Sequence, residues 1–160
     1  MYRTMVLGVD PMTDTGWAVA LNGTIWASGV QTFRLDRGES NGMRYLRFNR
    51  WLQEMERTLP DATTKLICYE ESFQVGRHAR ELYNGFVTRL QEFSVARQFE
   101  CTRVHTGQLK KWATGRGNAN KPDMIVAAMK YLKGREQATV TDDEADAVLL
   151  AMYAVEKVLQ

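Results

Sequence analysis

Four carboxylates in this chain have the type and placement to hold divalent cations: Asp10, Glu70, Asp143 and Asp146. Asp10 ends the apolar run Met5-Val6-Leu7-Gly8-Val9. Glu70 ends a second one, Leu66-Ile67-Cys68-Tyr69. Asp143 and Asp146 open the last apolar segment. If the two runs are neighbouring strands and the last segment is a helix packed on them, these acids crowd one small space. Like charges about 4 Å apart repel by roughly 4 kcal/mol per pair at an effective dielectric near 20. Such a cluster persists only with bound cations or raised pKa values. Hard cations such as Mg²⁺ prefer carboxylate and phosphate oxygens. Two of them, about 3.5–4 Å apart, suit in-line displacement at phosphorus. The expected chemistry is therefore phosphodiester hydrolysis, with Asp10 bridging, Glu70 serving one ion and Asp146 the other. Asp143 and Asp146, three apart, share one helix face and the first turn, where the macrodipole favours negative charge. Each acid also has a plainer reading. Asp10 and Glu70 could be strand-end turn residues, and Asp143 a helix cap. Asp142 is read as only a cap.

The elements that would position these acids follow from periodicity. Residues 4–10 read as a buried strand, then Asp10-Pro11-Met12-Thr13-Asp14-Thr15-Gly16 as a turn. Residues 17–21 and 25–34 read as two more strands, joined by the hairpin pair Asn22-Gly23. Residues 41–58 carry Tyr45, Leu46, Phe48, Trp51, Leu52 and Met55 at helical spacing. Leu59-Pro60 stops that helix, and the strand ending at Glu70 follows. A second helix spans 78–97, with Ala79, Leu82, Tyr83, Phe86, Leu90 and Phe93 on one face. Residues 101–105 form a short strand and 107–113 a brief helix. Residues 114–120 read as a mobile loop, and 122–132 as a helix. The last helix runs to about Val158, with Thr141 and Glu144 as a capping box. This order predicts an α/β fold: a five-stranded mixed sheet, its first three strands antiparallel, covered by helices on both faces. Sites in such sheets lie at strand carboxyl ends, where Asp10 and Glu70 fall.

The 160 residues suit one domain, 1–160, with one core. Hydrophobic content of 44% and charged content of 25% are ordinary for a soluble globular chain. No run approaches the roughly 18 apolar residues of a membrane span, and no secretory signal is visible. Cys68 and Cys101 both read as buried free thiols, which suits the cytoplasm. The net charge of +2 says little, but its distribution says more. From Cys101 to Pro122 there is no acid, while Arg103, Lys110, Lys111, Arg116 and Lys121 are basic. A basic rim beside an acidic pocket suits a polyanion that is held by cations and cut at a metal site.

Four segments in order resemble one family. Leu7-Gly8-Val9-Asp10-Pro11 with Thr15-Gly16-Trp17 resembles the first motif of the RuvC-type Holliday-junction resolvases. Tyr69-Glu70-Glu71-Ser72-Phe73 resembles their second motif. The stretch from Lys110 to Lys121 resembles their basic loop, and Asp143-Glu144-Ala145-Asp146-Ala147 their final Asp-x-x-Asp-Ala. The match covers nearly the whole chain. Each motif alone is weak; four in order are specific. The resemblance implies an RNase H-like three-layer fold, a homodimer, and symmetrical nicking of four-way DNA junctions. It implies two Mg²⁺ per site, with Mn²⁺ as a substitute, on Asp10, Glu70, Asp143 and Asp146. It brings Lys110 and Lys121 to the scissile phosphate and stacks Phe73 on an unpaired base. A compact version suits a phage or another mobile element, and any helicase partner is unspecified. Met12 departs from the family, where a small residue is frequent after Asp-Pro. Glu71 should face away from Glu70 and is excluded from the metal set.

Arg77, Arg80 and Arg116, with Lys111, are candidates for the DNA backbone, and Arg44 and Arg47 are weaker ones. His78 is a possible phosphate contact and His105 a strand-end residue. Neither has zinc-ligand spacing. Three other functions compete. An RNase H-like nuclease could take RNA or a broader range of branched DNA. A phosphotransferase of the actin and sugar-kinase superfamily needs two such domains, which 160 residues do not supply. A non-catalytic junction-binding module would have no need of the intact acid set.

Overall fold

The structure is a computed structural model and describes residues 2–160. The elements are β1 (Tyr2–Asp10), β2 (Asp14–Leu21), β3 (Thr24–Thr32), α1 (Asn41–Thr58), β4 (Ala62–Glu71), α2 (Arg77–Ala96), β5 (Glu100–His105), α3 (Thr106–Thr114), α4 (Lys121–Met129), a 3-10 turn (Gln137–Thr139) and α5 (Asp142–Lys157). The strands form one sheet in the order β3-β2-β1-β4-β5. The β1–β2 and β2–β3 pairs are antiparallel; β1–β4 and β4–β5 are parallel. This is the mixed sheet expected from the pattern. No helix of the described residues is long and apolar enough to cross a membrane.

Side chains alternate across a sheet, so each strand serves two cores. Met5, Leu7 and Val9, with Val19, Leu21, Ile67 and Tyr69, pack against α1 and α2. Phe33, Phe48, Trp51 and Phe86 make the aromatic centre of that layer, with Phe48 and Phe86 ring centroids 4.9 Å apart. Val6, Ala18, Ala20, Leu66, Cys68 and Val104 face the other way, against α3, α4 and α5. Asp10 continues the Val6–Gly8 side, and Glu70 continues the Leu66–Cys68 side. Val9 pairs with Tyr69 in the parallel ladder. One residue further, Asp10 and Glu70 therefore emerge side by side on the α5 face.

Helix α5 lies unusually close to that face. Its Ala145, Ala147, Val148, Leu149, Leu150 and Ala151 are buried. Two glycines permit the approach. A Cβ on Gly8 would overlap the Ala147 carbonyl and the Ala151 nitrogen, and one on Gly16 would overlap the Asp143 carbonyl. The sheet thus presents bare backbone where the acidic end of α5 lands.

The hairpin at Asn22-Gly23 has positive φ at both residues, 47° and 82°, as its turn type requires. The Asn22 carboxamide also accepts hydrogen bonds from the backbone of Arg3 and Thr4, tying the tip to β1. Some expectations shift. Strand β2 starts at Asp14 rather than 17, because Asp14 already pairs with Thr32. Helix α4 stops at Met129. Cys101 is exposed rather than buried, since β5 is an edge strand that buries only Val104; Cys68 is buried as expected. The second-helix apolar face goes mainly to the core, with Phe86 and Leu90 fully enclosed and Tyr83 and Phe93 packed at its margin.

Gly8→Ala and Gly16→Ala should each lower stability by about 1–3 kcal/mol, the usual cost of overpacking. Gly42→Ala, whose added carbon would meet only Ser40 Oγ at 3.5 Å, should change it by less than about 0.5 kcal/mol. Urea denaturation of the three variants checks this, and equal effects at all three would contradict the close-approach account.

Candidate active site

Asp10, Glu70 and Asp146 each place a carboxylate oxygen within 4.8 Å of the other two. They come from the end of β1, the end of β4 and the second turn of α5. Glu70 is buried; Asp10 and Asp146 are half-buried. Asp143 does not join this trio. It lies one turn back on α5, half-buried and close enough for its charge to act on both Asp10 and Asp146. The expectation that Asp143 and Asp146 share the first turn holds for Asp143 only, because α5 begins at Asp142.

Crowding and burial together make ionisation of the group costly. Burial, then repulsion from Glu70, Asp146 and Asp143, drives the Asp10 carboxyl well above the usual range, and a hydrogen bond with Glu70 adds to this. Asp146 is pushed up to about 7, by burial first and then by Glu70, Asp142 and Asp143; Lys110 works against the rise. Asp143 is raised by burial and by Asp142 and Asp14, with Lys121 opposing. These donors suit a hard divalent cation: three carboxylates, all oxygen, converging at coordination scale, with no nitrogen or sulfur ligand among them.

Neighbouring groups hold the acids in place. The Thr15 hydroxyl is fully buried and donates to the Met12 carbonyl at 2.5 Å, closing the turn after Asp10. Met12 itself packs partly against the α1–α2 core. The Tyr83 hydroxyl donates to the Glu70 carbonyl at 2.7 Å and so fixes the end of β4 from α2. Burial pushes that phenol up to about 12. Tyr83 is a positioning group that sequence periodicity files as merely apolar. Glu71 pairs with Arg103 at 3.6 Å, away from the trio. Asp14 accepts from Thr32 and Arg34, which hold its carboxyl below the usual range.

The cations form a rim around the acids. Lys110 is half-buried on α3, near Asp146. Lys121, at the first residue of α4, pairs with Asp142 at 2.5 Å and also feels Asp143 and Asp146. Asp142, read from sequence as only a cap, is therefore the tether of Lys121. Lys111 is exposed, and so is Arg116, which pairs with Asp123 at 2.8 Å. Helix α3 is held against α5 by Trp112 and Tyr153, edge to face at 5.4 Å, and by Gln108 donating to the Tyr153 hydroxyl. The 114–120 segment, expected to be a mobile loop, carries several local contacts. Thr114 bonds Arg116, Ala119 is buried, and Asn120 with Asp123 forms a capping box for α4.

Phe73 stands 84% exposed in the segment between β4 and α2, with Val75 equally bare. Arg77, His78 and Arg80 follow, all exposed at the start of α2. Arg44 and Arg47 are engaged within the chain instead. Arg44 binds the Phe33 carbonyl and Asn41, and Arg47 makes a two-pronged pair with Glu39. His105 ends β5 and caps α3 by accepting from the Gly107 N–H.

The fold matches solved structures of RuvC from Thermus thermophilus. One aligns at a TM-score of 0.73 and 21% identity, covering 94% of this chain and 95% of that one. Another, of T. thermophilus RuvC in complex with a Holliday junction substrate, aligns at 0.76 and 21% identity, covering 92% and 90%. The chain thus has the RNase H-like fold expected of it. Neither a protein-family model nor a curated protein matches the chain.

The raised carboxyls predict a pH dependence with a definite sign. A carboxyl whose pKa is higher in the folded chain binds its proton more tightly there. Its contribution to stability is full below about pH 4 and is lost as pH rises through about 7. In chelator, wild type should lose on the order of 4 kcal/mol relative to Asp146→Asn between those limits. Paired melting curves at pH 4–8 check this; parallel curves would contradict the crowding. Added Mg²⁺ should raise the wild-type melting temperature at pH 7 and leave that of Asp146→Asn nearly unmoved.

Proposed function

We propose that this chain is a metal-dependent endonuclease, a single nuclease domain over residues 1–160, that nicks four-way DNA junctions symmetrically as a homodimer. The observation that carries the reading is the meeting of Asp10, Glu70 and Asp146 from three separate elements. The RuvC-like fold supports it, as does the Holliday junction bound by one structural neighbour. The acids fit Mg²⁺, two per site, with Mn²⁺ as a substitute. When bound, these ions supply Lewis acidity for hydrolysis of a phosphodiester.

The chain's own residues have separable parts. Asp10, at the rigid end of β1, would be a shared ligand of the ions. Glu70 and Asp146 hold either side. Asp143, one helical turn from Asp146, would be the fourth carboxylate able to hold an ion. Lys110 and Lys121 stand beside the acids and offset charge that develops on phosphate oxygens. Arg77, Arg80, Lys111 and Arg116 hold the DNA backbone around the pocket. The Arg116–Asp123 pair is exposed and of little worth in water, so a phosphate can displace it. Phe73 has no packing partner to leave. An aromatic ring stacks on any base without reading its edge, which suits the unpaired centre of a junction. A dyad relating two copies gives the two opposed cuts that resolution needs.

Asp146→Asn should abolish cleavage of a four-way junction in Mg²⁺ while leaving binding in chelator within a few-fold of wild type. Gel-shift and cleavage assays on one preparation measure both, and parallel loss of the two would contradict the assigned role. Phe73→Ala should slow cleavage of closed four-way junctions by at least tenfold and of flexible flaps much less. Cutting of an RNA–DNA hybrid in preference to the junction would assign the site to RNA instead.

A further inference from the structure

Only two acids among the described residues are buried below a tenth exposure. Glu70, at 8%, belongs to the trio, and Glu144, at 4%, does not. Glu144 lies between Asp143 and Asp146 yet reaches the opposite way. Ser28 Oγ on β3 donates to its Oε1 at 2.7 Å. Arg135, from the segment after α4, donates to Oε1 at 3.2 Å and to Oε2 at 3.4 Å. Arg135 also reaches the Thr139 carbonyl at 3.5 Å. The Glu144 N–H donates to Thr141 Oγ1, so the helix cap is made by Thr141 alone. The carboxylate that a capping box would have turned back on the helix spans to the edge strand instead.

The pair is only half out of water, Glu144 being buried and Arg135 39% exposed, and such a pair adds little to stability. It does fix direction. Residues two apart on a helix leave its axis about 160° apart. Glu144 therefore points to β3 when Asp146 points to β1 and β4. Between them the Asp143 carbonyl sits on bare Gly16 of β2. A turn of α5 about its axis that frees Glu144 from Ser28 would swing Asp146 off Asp10.

We infer that Glu144, held by Ser28 and Arg135, is a positioning residue that sets the rotation of α5 and so presents Asp146 to the divalent cation. The inference rests on the cation-site reading above. Groups that orient metal ligands from behind commonly change metal affinity by about 10–100-fold when removed.

The test is Mn²⁺ titration of the full chain, followed by electron paramagnetic resonance, with melting temperature measured alongside. Glu144→Leu and Arg135→Met should weaken Mn²⁺ binding by about tenfold or more. Glu144→Gln, which can still accept from Ser28, should fall between these and wild type. Ser28→Ala, which removes one hydroxyl and leaves the ion pair, should weaken it by roughly threefold and serves if Glu144→Leu does not fold. Junction binding in chelator should not change. Mn²⁺ affinity equal to wild type in all variants, with only the melting temperature lowered, would overturn the positioning role. A wild-type chain that binds no Mn²⁺ would overturn the cation-site reading beneath it.

Discussion

Three carboxylates within 4.8 Å of one another repel, by roughly 3–4 kcal/mol per pair if all are charged at an effective dielectric near 20. The scaffold must supply the restraint that the trio lacks. It does so with backbone more than with side chains. Asp10 and Glu70 are fixed by adjacent parallel strands whose registers differ by nothing that could slip without inverting both faces. Asp146 is fixed by a helix pressed onto glycines, where neither Gly8 nor Gly16 has room for one more carbon. Thr15 shuts the turn after Asp10, and Tyr83 holds the carbonyl of Glu70. Burial first, and then the mutual repulsion, raise the Asp10 and Asp146 carboxyls above their ordinary range, so protons offset part of the crowding. On the proposed reading, a divalent ion would take their place and relieve the same repulsion.

The opposing charge is kept one layer out. Lys110 and Lys121 come from α3 and α4, while the acids come from β1, β4 and α5. No lysine forms an ion pair with a trio member among the described residues. Lys121 is held instead by Asp142. A lysine seated among the acids would neutralise them and exclude a metal. A lysine tethered beside them lowers the repulsion yet leaves oxygen lone pairs free. Separation of the cations along the sequence thus becomes separation in space.

Much of this was legible in the residues. Alternation and the Asn22-Gly23 pair located the meander, and apolar spacing bounded α1 at 41–58 as observed. Strand-end logic placed Asp10 beside Glu70, because period two and a parallel neighbour leave no other face. Helical spacing was less decisive. It put Asp143 and Asp146 on one side, but which of the two reaches the sheet depends on the rotation of α5, and that is set by contacts distant in sequence. Glu144 shows the same limit. Thr141-x-x-Glu144 is a local pattern, and a local reading gives it a local partner. Its carboxylate went to Ser28, 116 residues away. Cys101 looked buried because its run is apolar, and only the sheet order reveals that β5 is an edge.

A shared fold at 21% identity carries no chemistry of its own. Distances within this chain are what favour the proposed nucleic-acid substrate. Phe73 follows Glu70 by three residues, so their Cα atoms lie at most about 11 Å apart however the segment runs. Successive nucleotides in a duplex strand are about 3.4 Å apart along the axis. On the proposed reading, a ring at that reach would meet a base within a few steps of a phosphate held at the trio. An 84% exposed phenylalanine has no packing to explain it, and Val75 beside it extends the same bare edge. If the acid cluster takes a phosphate, as proposed, the length of chain between Glu70 and Phe73 calls for a base close to that phosphate that is free to unstack.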